Sequence, residues 1–114
     1  MKEMNNEIEY KGQKYYLVFN LNVMQKIQEE YGTIGKWGDL TDGIDGEVNA
    51  KAVIFGLTEM LNEGIDIYNE DNGTDLKPFT LKQAGRMLSE IGLQEATKKL
   101  NNTVIESTKS DEKN

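Results

Sequence analysis

The sequence predicts an α+β fold, in which an N-terminal β-hairpin packs on a bundle of about four to five helices. Residues 8–10 and 14–19 are rich in β-branched and aromatic side chains, and a short link containing Gly12 joins them. Beyond residue 20, apolar residues recur at helical spacing between glycines that stop helices. We expect a flexible N-terminus at 1–6, a single domain at 7–106 and a disordered polar tail at 107–114, which lacks apolar residues.

The hairpin pattern predicts which side chains face the core. With Lys11 and Gly12 as the turn, Ile8 pairs with Tyr15 and Glu9 pairs with Lys14. Because side chains alternate along a strand, the inner face carries Ile8, Tyr15, Leu17 and Phe19. The outer face carries Tyr16 and Val18, next to an unpaired strand edge. We predict that these two residues bind a partner by strand addition.

Two helices are predicted after the hairpin. Asn20 or Asn22 caps the first, which ends at Gly32. Its predicted inner stripe is Leu21, Met24, Ile27 or Gln28, and Tyr31. Thr33 then opens a second helix of one or two turns, followed by a loop over residues 41–46. The spacing of Trp37 from its apolar neighbours is typical of a core residue.

The segment from Ala50 to Leu61 predicts a central helix, because it is apolar nearly all round. Gly56 inside this helix lowers the stability of the helix by about 1 kcal/mol relative to alanine. We therefore expect another backbone or a bulky ring to approach closely there. The pattern leaves open whether residues 65–68 extend the helix, and residues 69–77 predict a surface turn.

Two more helices are predicted towards the C-terminus. Thr80 and Gln83 form a capping-box pattern ahead of the first. Its predicted inner stripe is Leu81, Ala84, Met87, Leu88 and Ile91. The final helix follows Gly92, and its apolar side is predicted to carry Leu93, Ala96, Thr97, Leu100 and Val104. Ile105 falls off that stripe. We predict Leu100, Val104 and Ile105 as a second partner-binding segment.

Composition excludes most catalytic chemistry. The chain has no histidine and no cysteine, so the usual proton shuttle near neutral pH and every sulfur ligand for zinc are missing. The acidic stretch 71–75 does not fit a calcium loop, because a loop with Gly73 in sixth place would begin at Tyr68 and close at Phe79. We therefore expect no catalytic residue, no cofactor, no metal site and no enzymatic activity.

Charge and hydropathy indicate the kind of partner. Thirteen basic residues against twenty acidic ones give a net charge of −7, which disfavours binding to nucleic acid. No apolar run reaches the roughly 18 residues that a membrane span needs, and the first residues lack a hydrophobic signal core. We expect a cytoplasmic protein that binds other proteins, with neither nucleic acid nor membrane as a partner.

The stretch 20–37, which reads NLNVMQKIQEEYGTIGKW, resembles the tail assembly chaperones of bacteriophages and prophages in their short form. The preceding hairpin, the apolar helix at 52–61 and the Phe79-Thr-Leu-Lys-Gln-Ala helix start also fit, so the resemblance spans about residues 7–105. It implies a protein of the host bacterial cytoplasm, absent from the mature virion, that binds the tape-measure protein and assists tail-tube assembly. The tail-tube protein is a second implied partner, and self-association and a longer frameshifted form are left open.

An alternative function is an acidic inhibitor of phage or mobile-element origin that mimics DNA and binds a protein. Such an inhibitor needs carboxylates arrayed on one surface at phosphate-like spacing. The acidic residues here are spread over loops and several helices, with thirteen basic residues among them. The sequence therefore favours the chaperone over the DNA mimic.

Overall fold

A computed structural model describes residues 6–112, with side chains described to residue 108. The elements are strands β1 (Glu7–Tyr10) and β2 (Gln13–Tyr16) and helices α1 (Leu21–Tyr31), α2 (Ile34–Asp42), α3 (Ala50–Asn72), α4 (Leu81–Ile91) and α5 (Leu93–Glu112). The strands form a two-stranded antiparallel sheet that precedes all five helices. The predicted α+β fold is confirmed.

The hairpin has the predicted register and turn. Ile8 pairs with Tyr15 and Glu9 with Lys14, while Lys11 and Gly12 both have positive φ angles, 52° and 77°. Two positive φ angles in a two-residue loop match the twist of the strands that it joins. The ion pair of Lys14 is diagonal, since its Nζ lies 3.2 Å from the Glu7 carboxylate.

Strand β2 is shorter than the sequence predicts, because it ends at Tyr16 instead of continuing to Phe19. The chain there leaves β1 and follows α3, where the Val18 N–H donates to the Met60 carbonyl over 3.2 Å. Leu17 is still buried on the inner face, as predicted. Phe19 packs against the core from a half-buried position.

Both ends of the predicted domain differ from the structure. Asn6, placed by the sequence in a flexible N-terminus, is fixed by Leu17: its carbonyl accepts the Leu17 N–H over 2.8 Å and its amide donates to the Leu17 carbonyl over 2.9 Å. Helix α5 continues to Glu112, so residues 107–112 are helical where the sequence predicts a disordered tail. Residues 1–5 and 113–114 lie outside the described part of the chain.

The core surrounds α3, and a tryptophan against a glycine is its central contact. Trp37 of α2 is 1% exposed, and its Nε1 donates to the Ala52 carbonyl over 2.9 Å. A Cβ on Gly56 would overlap the Trp37 indole. The predicted close approach of a bulky ring at Gly56 is therefore confirmed. The other fully buried side chains of α3, α4 and α5 around it include Leu57, Leu61, Met87 and Leu100.

The first residue of two helices faces solvent, contrary to the predicted stripes. Leu21 is 76% exposed and Leu81 is 55% exposed. Each directly follows an N-cap, Asn20 or Thr80, whose side chain accepts a backbone N–H of the first turn. The cap fixes where the helix begins, and the buried stripe starts later in each case. In α1 that stripe is Val23 and Ile27, which are both buried.

Two helices extend further than the sequence pattern predicts. Helix α2 runs to Asp42, beyond the predicted one or two turns, before Gly43 ends it with a left-handed φ of 70°. Helix α3 continues through residues 65–68 and includes 69–72, which the sequence assigns to a turn. The capping box of Thr80 and Gln83 is present as predicted.

Candidate partner-binding groove

Three exposed apolar side chains converge beside the hairpin. Tyr16 is 44% exposed, Tyr68 48% and Leu76 44%, and all three line one cavity of about 240 Å³. The remaining wall residues of that cavity are Gln13, Lys14, Tyr15, Gly64 and Ile65. We call this cavity the hairpin groove. It lies between β2, the second half of α3 and the segment that follows α3.

One wall of the hairpin groove depends on a glycine. A Cβ on Gly64 would overlap the backbone carbonyl of Tyr16. The lack of a side chain at this position therefore allows β2 to lie directly on the backbone of α3. The hydrogen bond from the Val18 N–H to Met60 continues this contact. Gly64 thus fixes where the Tyr16 ring stands relative to Tyr68, one turn further along the helix.

The opposite wall is held by the side chain of Asn69. Its amide Nδ2 donates to the Leu76 carbonyl, its Oδ1 accepts the Leu76 N–H, and both distances are 3.0 Å. The same Oδ1 accepts the Thr74 hydroxyl at 2.8 Å. An amide that satisfies both backbone groups of one residue acts as a short stretch of sheet. Asn69 therefore fixes Leu76 beside α3.

A second asparagine repeats this arrangement about two turns earlier on α3. Asn62 donates to the Phe79 carbonyl over 2.9 Å and accepts the Phe79 N–H over 2.7 Å. The Phe79 ring then meets Tyr15 of β2 edge to face, with ring centroids 5.1 Å apart. A further cavity of about 240 Å³ lies here and shares Tyr15, Leu76 and other wall residues with the hairpin groove.

The walls of the hairpin groove are suited to binding another molecule. The charged residues among its walls and those of the adjoining cavity are two lysines, Lys14 and Lys77. A hydrogen bond from Lys14 to Glu7, together with the Glu7 charge, raises the pKa of Lys14 above its ordinary value of 10.5. Lys14 is therefore a cation at neutral pH. Aromatic and aliphatic walls with a few peripheral polar groups suit the apolar side chains of another molecule.

The predicted partner-binding residues have different environments. Tyr16 lines the hairpin groove, and Val18 is half-buried against α3. Leu100 is completely buried, so it is a core residue and its prediction as a contact surface is wrong. The side of α5 that carries Leu100 packs inward against the core. Val104 is half-buried against the core, while Ile105 is 51% exposed on α5, away from the groove walls.

Tyr68 and Leu76 are the groove residues that sequence reasoning missed. The pattern of residues 65–68 did not decide between helix and loop, and Leu76 fell within the predicted turn. The usable signal was the pair Asn62 and Asn69, which lie on one face of a helix. Asparagines so placed can hold a chain segment that returns along the helix.

A second apolar depression lies on another side of the molecule. Its volume is about 570 Å³, and its walls include Ile54, Phe55 and Leu81. Lys51 and Glu30 stand at its rim, 3.8 Å apart. Leu81 is the exposed apolar side chain among these walls, since Ile54 and Phe55 are half-buried. The hairpin groove differs in bringing together three such side chains, two of them tyrosines.

Neither an ion site nor a membrane span is found in the part of the chain that the structure describes. The carboxylates within residues 6–112 form no group of three that could hold a metal ion. None of the helices in this range combines the length and the hydropathy of a membrane span. Comparison of the chain with protein-family models, with curated proteins and with solved structures finds no match.

Proposed function

We propose that this chain is a phage or prophage tail assembly chaperone, which binds the tape-measure protein and assists assembly of the tail tube. The observation that carries the proposal is the hairpin groove, where Tyr16, Tyr68 and Leu76 present apolar surface to solvent. The resemblance of residues 7–105 to that family gives the proposal its particular partner. In this role the protein works in the host bacterial cytoplasm and is absent from the mature virion.

The composition of the groove supports binding to a polypeptide. Tyrosines are frequent anchors of protein interfaces, because each supplies a large rigid apolar face and a hydroxyl that can remain hydrated. Tyr16 and Tyr68 meet this description, since roughly half of each side chain is exposed. The two asparagines hold the groove wall before a partner arrives, which reduces the entropy cost of binding.

Net charge supports the chaperone role in a second way. A long helical client with apolar stripes tends to aggregate, and a charged binding protein keeps the complex dispersed. The chain carries a net charge of −7. We propose that the protein acts by binding alone, with no catalytic step, and that the tail-tube protein is a second partner.

Co-expression tests the proposal directly. The chain is produced together with the tape-measure protein of the same phage or prophage, and the soluble fraction of the tape-measure protein is measured with and without the chain. The proposal predicts a several-fold increase in soluble tape-measure protein and its recovery in a complex with this chain. An unchanged soluble fraction together with an empty pull-down would contradict it.

The DNA-mimic alternative has less support. Glu59, Glu63, Asp66 and Glu70 recur on one face of α3, which is the nearest approach to a phosphate-like row. Glu63 is engaged by the amides of Asn20 and Asn22, at 2.9 and 3.1 Å. Burial raises the pKa of Glu59, with Glu63 adding to the rise and Lys26 opposing it. Of these four side chains, only those of Asp66 and Glu70 are exposed, which is too few for a DNA surface.

A further inference from the structure

The two outer edges of the hairpin differ in whether another element covers their backbone hydrogen-bonding groups. The Leu17 N–H donates to the Asn6 carbonyl over 2.8 Å, so the backbone of Asn6 is directed towards the neighbouring strand. Directions alternate along a strand, so Ile8 and Tyr10 also face β2. The backbone N–H and C=O of Glu7 and Glu9 therefore point away from β2.

Helix α3 closes the far edge of β2. The Val18 N–H there donates to the Met60 carbonyl, and the Tyr16 carbonyl lies against Gly64. Strand addition next to Tyr16 and Val18, as the sequence suggested, would have to displace α3. Within residues 6–112, β1 pairs with β2 alone, and the backbone of Glu7 and Glu9 forms no hydrogen bond with a helix. Among the described residues, the open edge of the sheet is therefore that of β1.

The side chains on this edge indicate the chemistry of its occupant. Glu7 and Glu9 project from the same face of β1, because they are two residues apart. A basic side chain suits these carboxylates, as Lys14 of β2 illustrates: its ammonium lies 3.2 Å from the Glu7 carboxylate. Glu9 forms no ion pair among the described side chains. A strand on the outer side of β1 with basic residues at alternate positions would place one cation beside the exposed Glu9 and a second next to Glu7, whose side chain is 20% exposed and already pairs with Lys14.

We infer that the outer edge of β1 binds an extended, basic segment of a partner protein, with lysine or arginine at alternate positions. A second copy of this chain is the poorer occupant, because pairing β1 with β1 sets Glu7 and Glu9 against the same acids. The inference goes beyond the proposed function, because this edge is separate from the hairpin groove and its test does not involve the tape-measure protein.

A synthetic peptide of alternating lysine and valine is the probe. It is titrated into the isotope-labelled full chain, and amide hydrogen exchange is followed residue by residue. Strand addition predicts that exchange of the Glu7 and Glu9 amides slows by about tenfold or more. The amides of Ile8 and Tyr10 already bond to β2 and should change little. Nonspecific attraction of a cation to an acidic protein would not select these two amides.

Two control peptides test charge and pattern. One carries glutamate in place of lysine, and the other has the same composition with its lysines in one block. Both should bind at least about tenfold more weakly than the alternating peptide. The inference is overturned if all three bind alike. It is also overturned if the alternating peptide leaves Glu7 and Glu9 unprotected at about 1 mM, near the limit of weak specific binding.

Variants separate the edge from the overall charge. Glu7→Lys with Glu9→Lys should weaken binding of the alternating peptide by about tenfold. Asp45→Lys with Glu47→Lys makes the same charge change in an exposed loop and should leave binding unchanged. Glu9→Pro removes a backbone N–H that points outward and breaks no hydrogen bond to β2. The variant should therefore fold but no longer bind the peptide. Equal binding by the edge and loop variants, or full binding by a folded Glu9→Pro protein, refutes the inference.

Discussion

Each half of α3 contains a glycine against which another part of the chain packs closely, but one contact is buried in the core and the other lies in an open groove. In the first half, Gly56 has no room for a Cβ because the Trp37 side chain occupies that space. In the second half, Gly64 has no room because the Tyr16 backbone occupies it. The first contact lies in a sealed core, where Leu57 and Leu61 are fully buried. The second lies at the floor of an open groove.

The difference shows how one continuous helix supports both stability and recognition. Packing a ring on Gly56 buries apolar surface completely, whereas packing a strand on Gly64 leaves Tyr16 and Tyr68 half-exposed on either side. Changes at the contact between Trp37 and Gly56 should therefore affect stability alone. Changes at the contact between Gly64 and Tyr16 should affect binding as well as stability.

The largest effect is expected at the sealed contact. Trp37→Ala should lower the free energy of unfolding by about 3–5 kcal/mol. Gly56→Ala should lower it by about 1–3 kcal/mol, because the added Cβ overlaps the indole. In the Trp37→Ala background the cost of Gly56→Ala should disappear, since the ring is gone. Denaturant unfolding of all four proteins measures this cycle, and additive effects would contradict the contact.

The next effect is expected at the open contact. Gly64→Ala should cost about 1–3 kcal/mol, because backbone rather than a side chain must move. It should also reduce tape-measure binding by shifting Tyr16. Gly85→Ala in α4 is the matched control, since its Cβ would stand 3.5 Å from the Ile54 side chain in ordinary contact. It should gain up to about 1 kcal/mol from helix propensity. Equal thermal midpoints for the two variants would count against this account.

A smaller effect is expected at the groove wall. Asn69→Ala removes both hydrogen bonds to Leu76 and should cost about 1 kcal/mol, since the site is exposed. Partner binding should fall more than stability does, because Leu76 loses its fixed position. Asn72→Ala, which removes one local bond to the Tyr68 carbonyl, serves as the control. Isothermal titration and thermal melts on both variants distinguish wall positioning from general destabilisation.

The smallest effect is expected at Glu59, which lies between Gly56 and Gly64 on α3. Burial raises its pKa above the ordinary 4.5, so protonation favours the folded state. That contribution is fully present below about pH 4.5 and is lost as pH rises through the folded-state pKa. Glu59→Gln should therefore raise stability at pH 7 by less than about 1 kcal/mol. Thermal melts should show the gain vanish in acid, and a gain that persists there would contradict the burial.

Local patterns predicted what depends on neighbours in the chain. The turn at Lys11 and Gly12, the capping box at Thr80 and the ring against Gly56 all follow from short-range chemistry or from the cost of a glycine. The periodicity also identified most of the core helices. It failed at Leu21 and Leu81, where the cap determines the start of the buried stripe.

The groove could not be derived in the same way. It forms only because Asn62 and Asn69 hold a returning segment to α3 and because Gly64 admits β2. These contacts join residues from separate elements, and no periodicity within one element encodes them. The open edge of β1 was also hidden, since the sequence does not show which edge of a hairpin a helix will cover.

Recovery of the tape-measure protein by paired surface variants tests the groove most directly. Tyr68→Ser with Leu76→Ser removes two groove walls, while Leu21→Ser with Ile44→Ser removes two other exposed apolar side chains. We predict that the groove variant recovers about tenfold less partner in co-expression pull-downs, with a thermal midpoint within about 3 °C of the unaltered chain. The control variant should recover as much as the unaltered chain. Equal recovery by both variants would contradict the groove as the binding surface.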